Sequence, residues 1–171
     1  MSKPSIAVYP ISAQPPTWGH GDILKRAAAS FDKLFWVAAL NSEKKLQLSL
    51  QSQIAIMKDY VNYYKLPNVE IDHFSGSIAR YALDKGARFL IRGVRHCGDL
   101  EHEMALSAGY RGITDQVEVI AFFSAPEFSR ISSSLVRELA RLGEELSPYV
   151  LPAAIPLIIQ AFGPNSYDLQ T

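Results

Sequence analysis

Ile6-Ala7-Val8-Tyr9-Pro10-Ile11-Ser12-Ala13-Gln14-Pro15-Pro16-Thr17-Trp18-Gly19-His20 is the stretch that sets the architecture of this chain. Its first four residues are apolar and β-prone, Pro10 to Gly19 is punctuated by prolines and a glycine, and Ile23, Leu24, Ala27 and Ala28 then recur at helical spacing. The order is strand, loop, helix. Gly19 allows backbone to approach a ligand, and His20 falls on the first turn of the helix, where free N–H groups and the dipole favour anions. Alone, a histidine there is more often structural, and Thr17 reads equally well as a simple N-cap.

The same order repeats downstream. Leu34 to Leu40 is apolar and β-rich, Asn41 to Leu48 is mostly polar, and Ile54, Met57, Val61 and Tyr64 follow at helical intervals. Val69 to Phe74 predicts a third strand, Ile78 to Lys85 a helix closed by Gly86, and Phe89 to Ile91 a fourth strand running into Arg92-Gly93. Asp99 to Ala108 predicts a helix, Val117 to Phe123 a fifth strand, Ser132 to Arg141 a helix, and Pro152 precedes a last apolar helix to about Ala161. Parallel neighbours need crossover connections, so this alternation predicts an α/β fold, a parallel five-stranded sheet with helices on both faces. Ligands then sit beyond the carboxyl ends of the strands, in the loops after Tyr9, Leu40, Phe74, Ile91 and Phe123. Residues 1–162 form a single domain on this reading, and 163–171 a tail.

Those loops carry the chemistry. Arg92 and Arg95 flank Gly93 and can hold phosphate oxygens bidentately, while Asp99 and Glu103 share a helix face. The two carboxylates either orient the arginines, contact a metal-bound nucleotide, or form a solvated salt-bridge face. Ser132, Ser133 and Ser134 stand at a helix start, where hydroxyls and free N–H groups cradle a polyphosphate, although capping accounts for one serine. Lys44 and Lys45 are solvated by default and add charge if their loop faces the site. At ~4 Å and an effective dielectric of about 20, each opposite-charge contact is worth roughly 4 kcal/mol before desolvation. This favours phosphoryl or nucleotidyl transfer by positioning and charge stabilisation over chemistry on a nucleophilic side chain.

Composition narrows the choice. The 171 residues hold 17 Lys+Arg and 17 Asp+Glu, so any anion site is local, and general nucleic-acid or membrane binding is disfavoured. The single Cys97 excludes an internal disulfide framework and a Cys-rich zinc site. No signal peptide is apparent, and the apolar stretch Tyr149 to Phe162 contains two prolines and is too short to span a bilayer. The chain reads as soluble and cytoplasmic.

Over about residues 5 to 160 the sequence resembles the bacterial phosphopantetheine adenylyltransferases, of the nucleotidyltransferase superfamily. The matching pieces are Thr17-Trp18-Gly19-His20, Lys44-Lys45, Ile91-Arg92-Gly93-Val94-Arg95 through Asp99, Glu101, Glu103 and Met104, and Ile131-Ser132-Ser133-Ser134-Leu135-Val136. The resemblance implies a Rossmann-like doubly wound fold, a homohexamer, and transfer of AMP from ATP to 4′-phosphopantetheine with Mg²⁺, giving dephospho-coenzyme A and pyrophosphate. It implies catalytic roles for His20, Lys44 and Arg95. Ser12, Lys44 and Arg92 would hold the phosphate of the pantetheine substrate, and Ile78 would line its arm. ATP would meet Ser12, Ala13, Thr17, His20, Gly93, Val94, Arg95, Glu103, and the run Phe128, Ser129, Arg130, Ile131, Ser132, Ser133 and Ser134. No side chain is implied as a metal ligand.

The departures lie mainly in the first loop. Ile11 stands where the family has glycine, Ala13 where it has an aromatic, and Gln14 where it has aspartate; Tyr110 replaces a frequent Asn. A branched residue at position 11 is expected to narrow the ATP site or strain the backbone. Two other readings remain at this level: a related nucleotidyltransferase with another phosphate-bearing acceptor, such as nicotinate mononucleotide, and a non-catalytic nucleotide-binding protein.

Overall fold

The computed structural model describes residues 3–40 and 48–164. Five strands, β1 (Ile6–Ile11), β2 (Lys33–Leu40), β3 (Val69–Ser75), β4 (Phe89–Val94) and β5 (Glu118–Phe123), form one parallel sheet in the order β3-β2-β1-β4-β5. The chain leaves β1 towards β2 and β3, then crosses back to β4 and β5, so strand order reverses between β1 and β4. The helices are α1 (Trp18–Ser30), α2 (Leu50–Tyr64), α3 (Ile78–Asp84), α4 (Cys97–Arg111), α5 (Ser133–Leu142) and α6 (Ile155–Phe162).

Alternation along the strands sends side chains to opposite faces, and each face has its own core. Ala7, Tyr9 and Ile11 of β1 pack with Leu34, Trp36 and Ala38 of β2 under α1, α2, α5 and α6. Val8, Phe35, Val37 and Leu90 point the other way, onto Ile78, Tyr81 and Ala82 of α3, with Tyr110 of α4 packed against them. The expected doubly wound sheet, covered on both faces, is what forms.

Three bounds differ from the sequence reading in ways that matter for the site. β1 runs through Pro10 to Ile11, whereas proline was expected to end it. Pairing of β1 with β4 stops at Val8↔Leu90, while pairing with β2 continues to Ile11↔Ala38. Pro10 therefore lies past the last pair on the β4 side, where a missing N–H breaks no ladder. β4 likewise extends to Val94, which places Arg92 and Gly93 within a strand, paired to Ala121 and Phe122. Helix α4 starts two residues early because His96 caps it, its ring accepting the Asp99 N–H. Residues 165–171, most of the expected tail, lie outside the described residues. Among the described residues no helix is long and apolar enough to cross a membrane.

Helices α1 and α2 meet through a glycine. A Cβ added at Gly21 would stand 2.8 Å from two ring carbons of Tyr60. Tyr60 is buried, and its hydroxyl accepts the Leu151 N–H at 3.0 Å, so the ring is not free to move aside. Gly21→Ala is expected to cost about 2 kcal/mol through overpacking, more than the ~1 kcal/mol it gains in helix propensity. Thermal denaturation should show a fall of roughly 2–4 °C, and an unchanged midpoint would contradict this packing.

Candidate active site

Because β1 and β4 part beyond Val8 and Leu90, a crevice opens at the switch point, above the carboxyl ends of both strands. It is a cavity of about 610 Å³, within the range that holds small-molecule ligands. The loop after β1 forms one wall, the end of β4 and the start of α4 another, and the start of α5 closes it. Three of the expected loop regions, those after Tyr9, Ile91 and Phe123, thus converge on one space. Of the implied residues, Ser12, Ala13, Thr17, His20, Arg92, Gly93, Arg95, Glu103, Ile131, Ser132, Ser133 and Ser134 line it.

The other described ones do not line it. Ile78 is 7% exposed and belongs to the core on the α3 face, packed with Phe35 and Tyr81. Val94 is buried. Phe128 ends a 3-10 turn, Pro126–Phe128, with its Cβ and carbonyl beside Gly19, Ser129 donates to the Pro126 carbonyl, and Arg130 is exposed. Lys44 and Lys45 lie outside the described residues.

His20 is held by the residue that caps its helix. Its Nδ1 accepts the Thr17 backbone N–H at 3.2 Å and lies 2.8 Å from Thr17 Oγ1. With Nδ1 as acceptor, the neutral ring carries its proton on Nε2. Burial, with the nearby Arg95 adding repulsion, lowers the pKa from 6.5 to about 4, so the ring is uncharged at neutral pH. It offers the cavity a hydrogen-bond donor without a full charge. Thr17 therefore serves as both N-cap and holder of the imidazole.

The arginines have carboxylate partners, and that decides between the three readings of Asp99 and Glu103. Arg92 engages Glu103 through two bonds, Nε to Oε2 and Nη2 to Oε1 at 2.7 Å. Asp99 Oδ2 accepts both the backbone N–H and Nε of Arg95, each at 3.0 Å. Both carboxylates orient arginines in the cavity wall; they are not a solvated face. Burial raises the Asp99 pKa, but the bonds from Arg95 outweigh it and keep the carboxyl below its usual range. Burial also disfavours the charge on Arg92, and Glu103 more than restores it.

The serines divide their tasks. Ser132 caps α5, its Oγ accepting the Leu135 N–H at 3.1 Å, and its own proton remains to be donated. Ser133 donates to the Pro15 carbonyl at 2.8 Å, so its single proton is spent on the first loop. Ser134 accepts from Arg137 Nη2 at 3.1 Å. Only two of the three hydroxyls keep a donor for a phosphate.

Two further residues line the cavity that the sequence reading passed over. Arg137 sits one turn into α5 and faces the site with Ser133 and Ser134; a basic residue three or four places after the serines was the available signal. Ser124 follows the last residue of β5, and its buried Oγ has no hydrogen-bond partner among the described residues. With His20 neutral, the described lining holds three arginines against two carboxylates, one net positive charge. That is the local anion site a chain of zero net charge requires.

The expected strain at Ile11 does not occur. Lys65 is the only described non-glycine residue in the left-handed region. Ile11 is ordinary strand, paired to Ala38, with its side chain buried in the core beneath the cavity. Gly93 is the position where absent side-chain bulk matters: a Cβ there would meet Ile23 Cδ1 at 2.6 Å, so glycine lets β4 approach α1. No group of three or more His, Cys, Asp or Glu suited to a metal lies among the described residues. With Asp99 and Glu103 both committed to arginines, the described residues do not fit a protein-held Mg²⁺.

A parallel sheet whose switch point presents a helix start, a neutral imidazole donor and paired arginines to one cavity defines a phosphate-handling nucleotide-binding α/β protein, and residues 8–139 match the cytidylyltransferase-like family. Two similar sequences are phosphopantetheine adenylyltransferases, one from Caldanaerobacter subterraneus subsp. tengcongensis and one from Carboxydothermus hydrogenoformans. The first is 36% identical over 92% of this chain and 97% of its own, the second 40% over 81% and 84%. In fold the chain is similar to a Plasmodium falciparum nicotinic acid mononucleotide adenylyltransferase complexed with NaAD, with a TM-score of 0.69, 14% identity, and 97% and 98% of the two chains covered. The chain belongs to the phosphopantetheine adenylyltransferase family.

Proposed function

We propose that this chain transfers the adenylyl group of ATP to 4′-phosphopantetheine in coenzyme A biosynthesis, giving dephospho-coenzyme A and pyrophosphate. A phosphate oxygen of the acceptor attacks the α-phosphorus, the bond from that phosphorus to the α–β bridging oxygen breaks, and the electron pair leaves with pyrophosphate. Charge grows on the oxygens around the α-phosphorus in the transition state. The observation that carries the reading is the fixed tautomer of His20, which leaves Nε2–H as the donor of a ring that lines the cavity together with Arg92, Arg95 and the start of α5. A donor preorganised where charge develops lowers the barrier without reorganising at the moment of reaction.

The other residues act by holding. Ser12 and Arg92 take the acceptor phosphate, with the Arg92 fork kept in place by Glu103. Arg95, the Gly93 backbone, Ser132 and Ser134 take the triphosphate, and Arg137 adds charge on the α5 side. No side chain serves as a nucleophile, so rate comes from positioning and charge stabilisation. Lys44 belongs to the proposal by resemblance. So do a homohexamer, a cytoplasmic setting, and Mg²⁺ carried in on the triphosphate. The names of the relatives support the choice of acceptor.

Pyrophosphate release tests this directly. Release is expected only when ATP and 4′-phosphopantetheine are both present. Preference for nicotinate mononucleotide or another acceptor would reassign the substrate, and calorimetric ATP binding with no turnover on any acceptor would reduce the chain to a nucleotide-binding protein.

A further inference from the structure

The loop between β1 and α1 is gripped by three side chains at three successive carbonyls. Ala13 accepts from Gln53 Nε2 at 3.1 Å, Gln14 from Arg137 Nη1 at 2.7 Å, and Pro15 from Ser133 Oγ at 2.8 Å. Arg137 and Ser133 are themselves in the cavity wall, but Gln53 is not. It lies behind the loop near the start of α2 and is only 1% exposed.

As a structural residue Gln53 is a poor choice. Its Oε1 is buried and has no hydrogen-bond partner among the described residues, which opposes folding. Methionine has similar length and fills space without a polar atom to satisfy. What the carboxamide contributes is one bond, to the Ala13 carbonyl. The Ala13–Gln14 peptide is trans and planar, so drawing its carbonyl towards α2 turns the Gln14 N–H away from α2, and Gln14 is among the residues that line the cavity. The next two residues, Pro15 and Pro16, have no N–H. The Thr17 N–H is given to His20. Gln14 thus carries the last backbone donor that this loop can offer an anion.

We propose that Gln53 is a positioning residue that, from outside the cavity, aims the Gln14 amide at an oxygen of the ATP triphosphate. The inference rests on the proposed adenylyl transfer for its place in a reaction, but not for its measurement, because ATP binding reads it without turnover. In Gln53→Met the apolar side chain removes both the grip and the unpaired oxygen. Its melting temperature is expected to equal or exceed that of the wild type, while ATP binding measured by calorimetry weakens about tenfold. If the wild type releases pyrophosphate, the KM for ATP rises by a similar factor. Gln53→Leu provides the same test with a different shape. ATP affinity within twofold of wild type in either folded variant would overturn the proposal. So would loss of folding in both, since Gln53 would then be holding the structure and not the loop. Absence of pyrophosphate release by the wild type would count against the reaction and leave the binding comparison to decide the role of Gln53.

Discussion

With alanine at position 20, turnover is expected to fall by about 10²–10³-fold, the usual effect of removing one preorganised donor, while the apparent affinities for both substrates shift only a fewfold. The separation follows from the Nε2–H donor of a ring that lines the cavity and is anchored at Nδ1 by Thr17. A donor placed for charge that appears in the transition state contributes little to ground-state binding. Equal losses in kcat/KM and in affinity, with kcat itself unchanged, would assign His20 to binding.

The same geometry gives a pH signature. His20 has a folded pKa of about 4, below the 6.5 of an unperturbed imidazole, so between these values the unfolded chain binds the proton that the folded chain refuses. Its contribution to stability is complete above about pH 6.5 and is lost as pH falls from there to about 4. Histidine NMR should show the Nε2–H tautomer and no titration of His20 between pH 8 and pH 5. A midpoint near 6.5 would mean the ring is solvated and free of Thr17.

Arg92→Met is expected to damage both function and fold, and a second substitution tells the two apart. The Arg92 and Glu103 side chains are 19% and 13% exposed, and removing one partner leaves the other charge largely desolvated. Breaking such a pair costs about 3–5 kcal/mol, which in a chain of this length lowers the melting temperature by roughly 10 °C. The stranded carboxylate would also face incoming phosphates, so kcat/KM for 4′-phosphopantetheine is expected to drop at least about a hundredfold. In Arg92→Met/Glu103→Leu no buried charge is left unpaired, and the melting temperature should largely recover while activity stays low. Recovery of activity in the double variant would show that Arg92 only neutralised Glu103.

Much of this architecture is written in short-range patterns. Period-two and helical spacing placed all five strands and six helices, because which face of an element is apolar depends on neighbours a few residues away. Errors collected at ends set by partners. Pro10 stays in β1 because β4 has already diverged, and β4 keeps Arg92 and Gly93 because β5 pairs with them. His96 caps α4 through its ring, a signal that lists of preferred N-cap residues omit.

The types of residue at the site, imidazole, guanidinium and hydroxyl after successive strands, were likewise legible along the chain. Their division of labour was not. Ser133 binds the carbonyl of Pro15 and Arg137 that of Gln14, across 118 and 123 positions of sequence. Whether a hydroxyl donates to a phosphate or to its own protein, and whether a carboxylate meets water or an arginine, depends on separations of about 3 Å that exist only once the sheet has brought distant loops together. Linear order is therefore enough to name the fold and the chemical groups, whereas folding in three dimensions assigns each proton its acceptor.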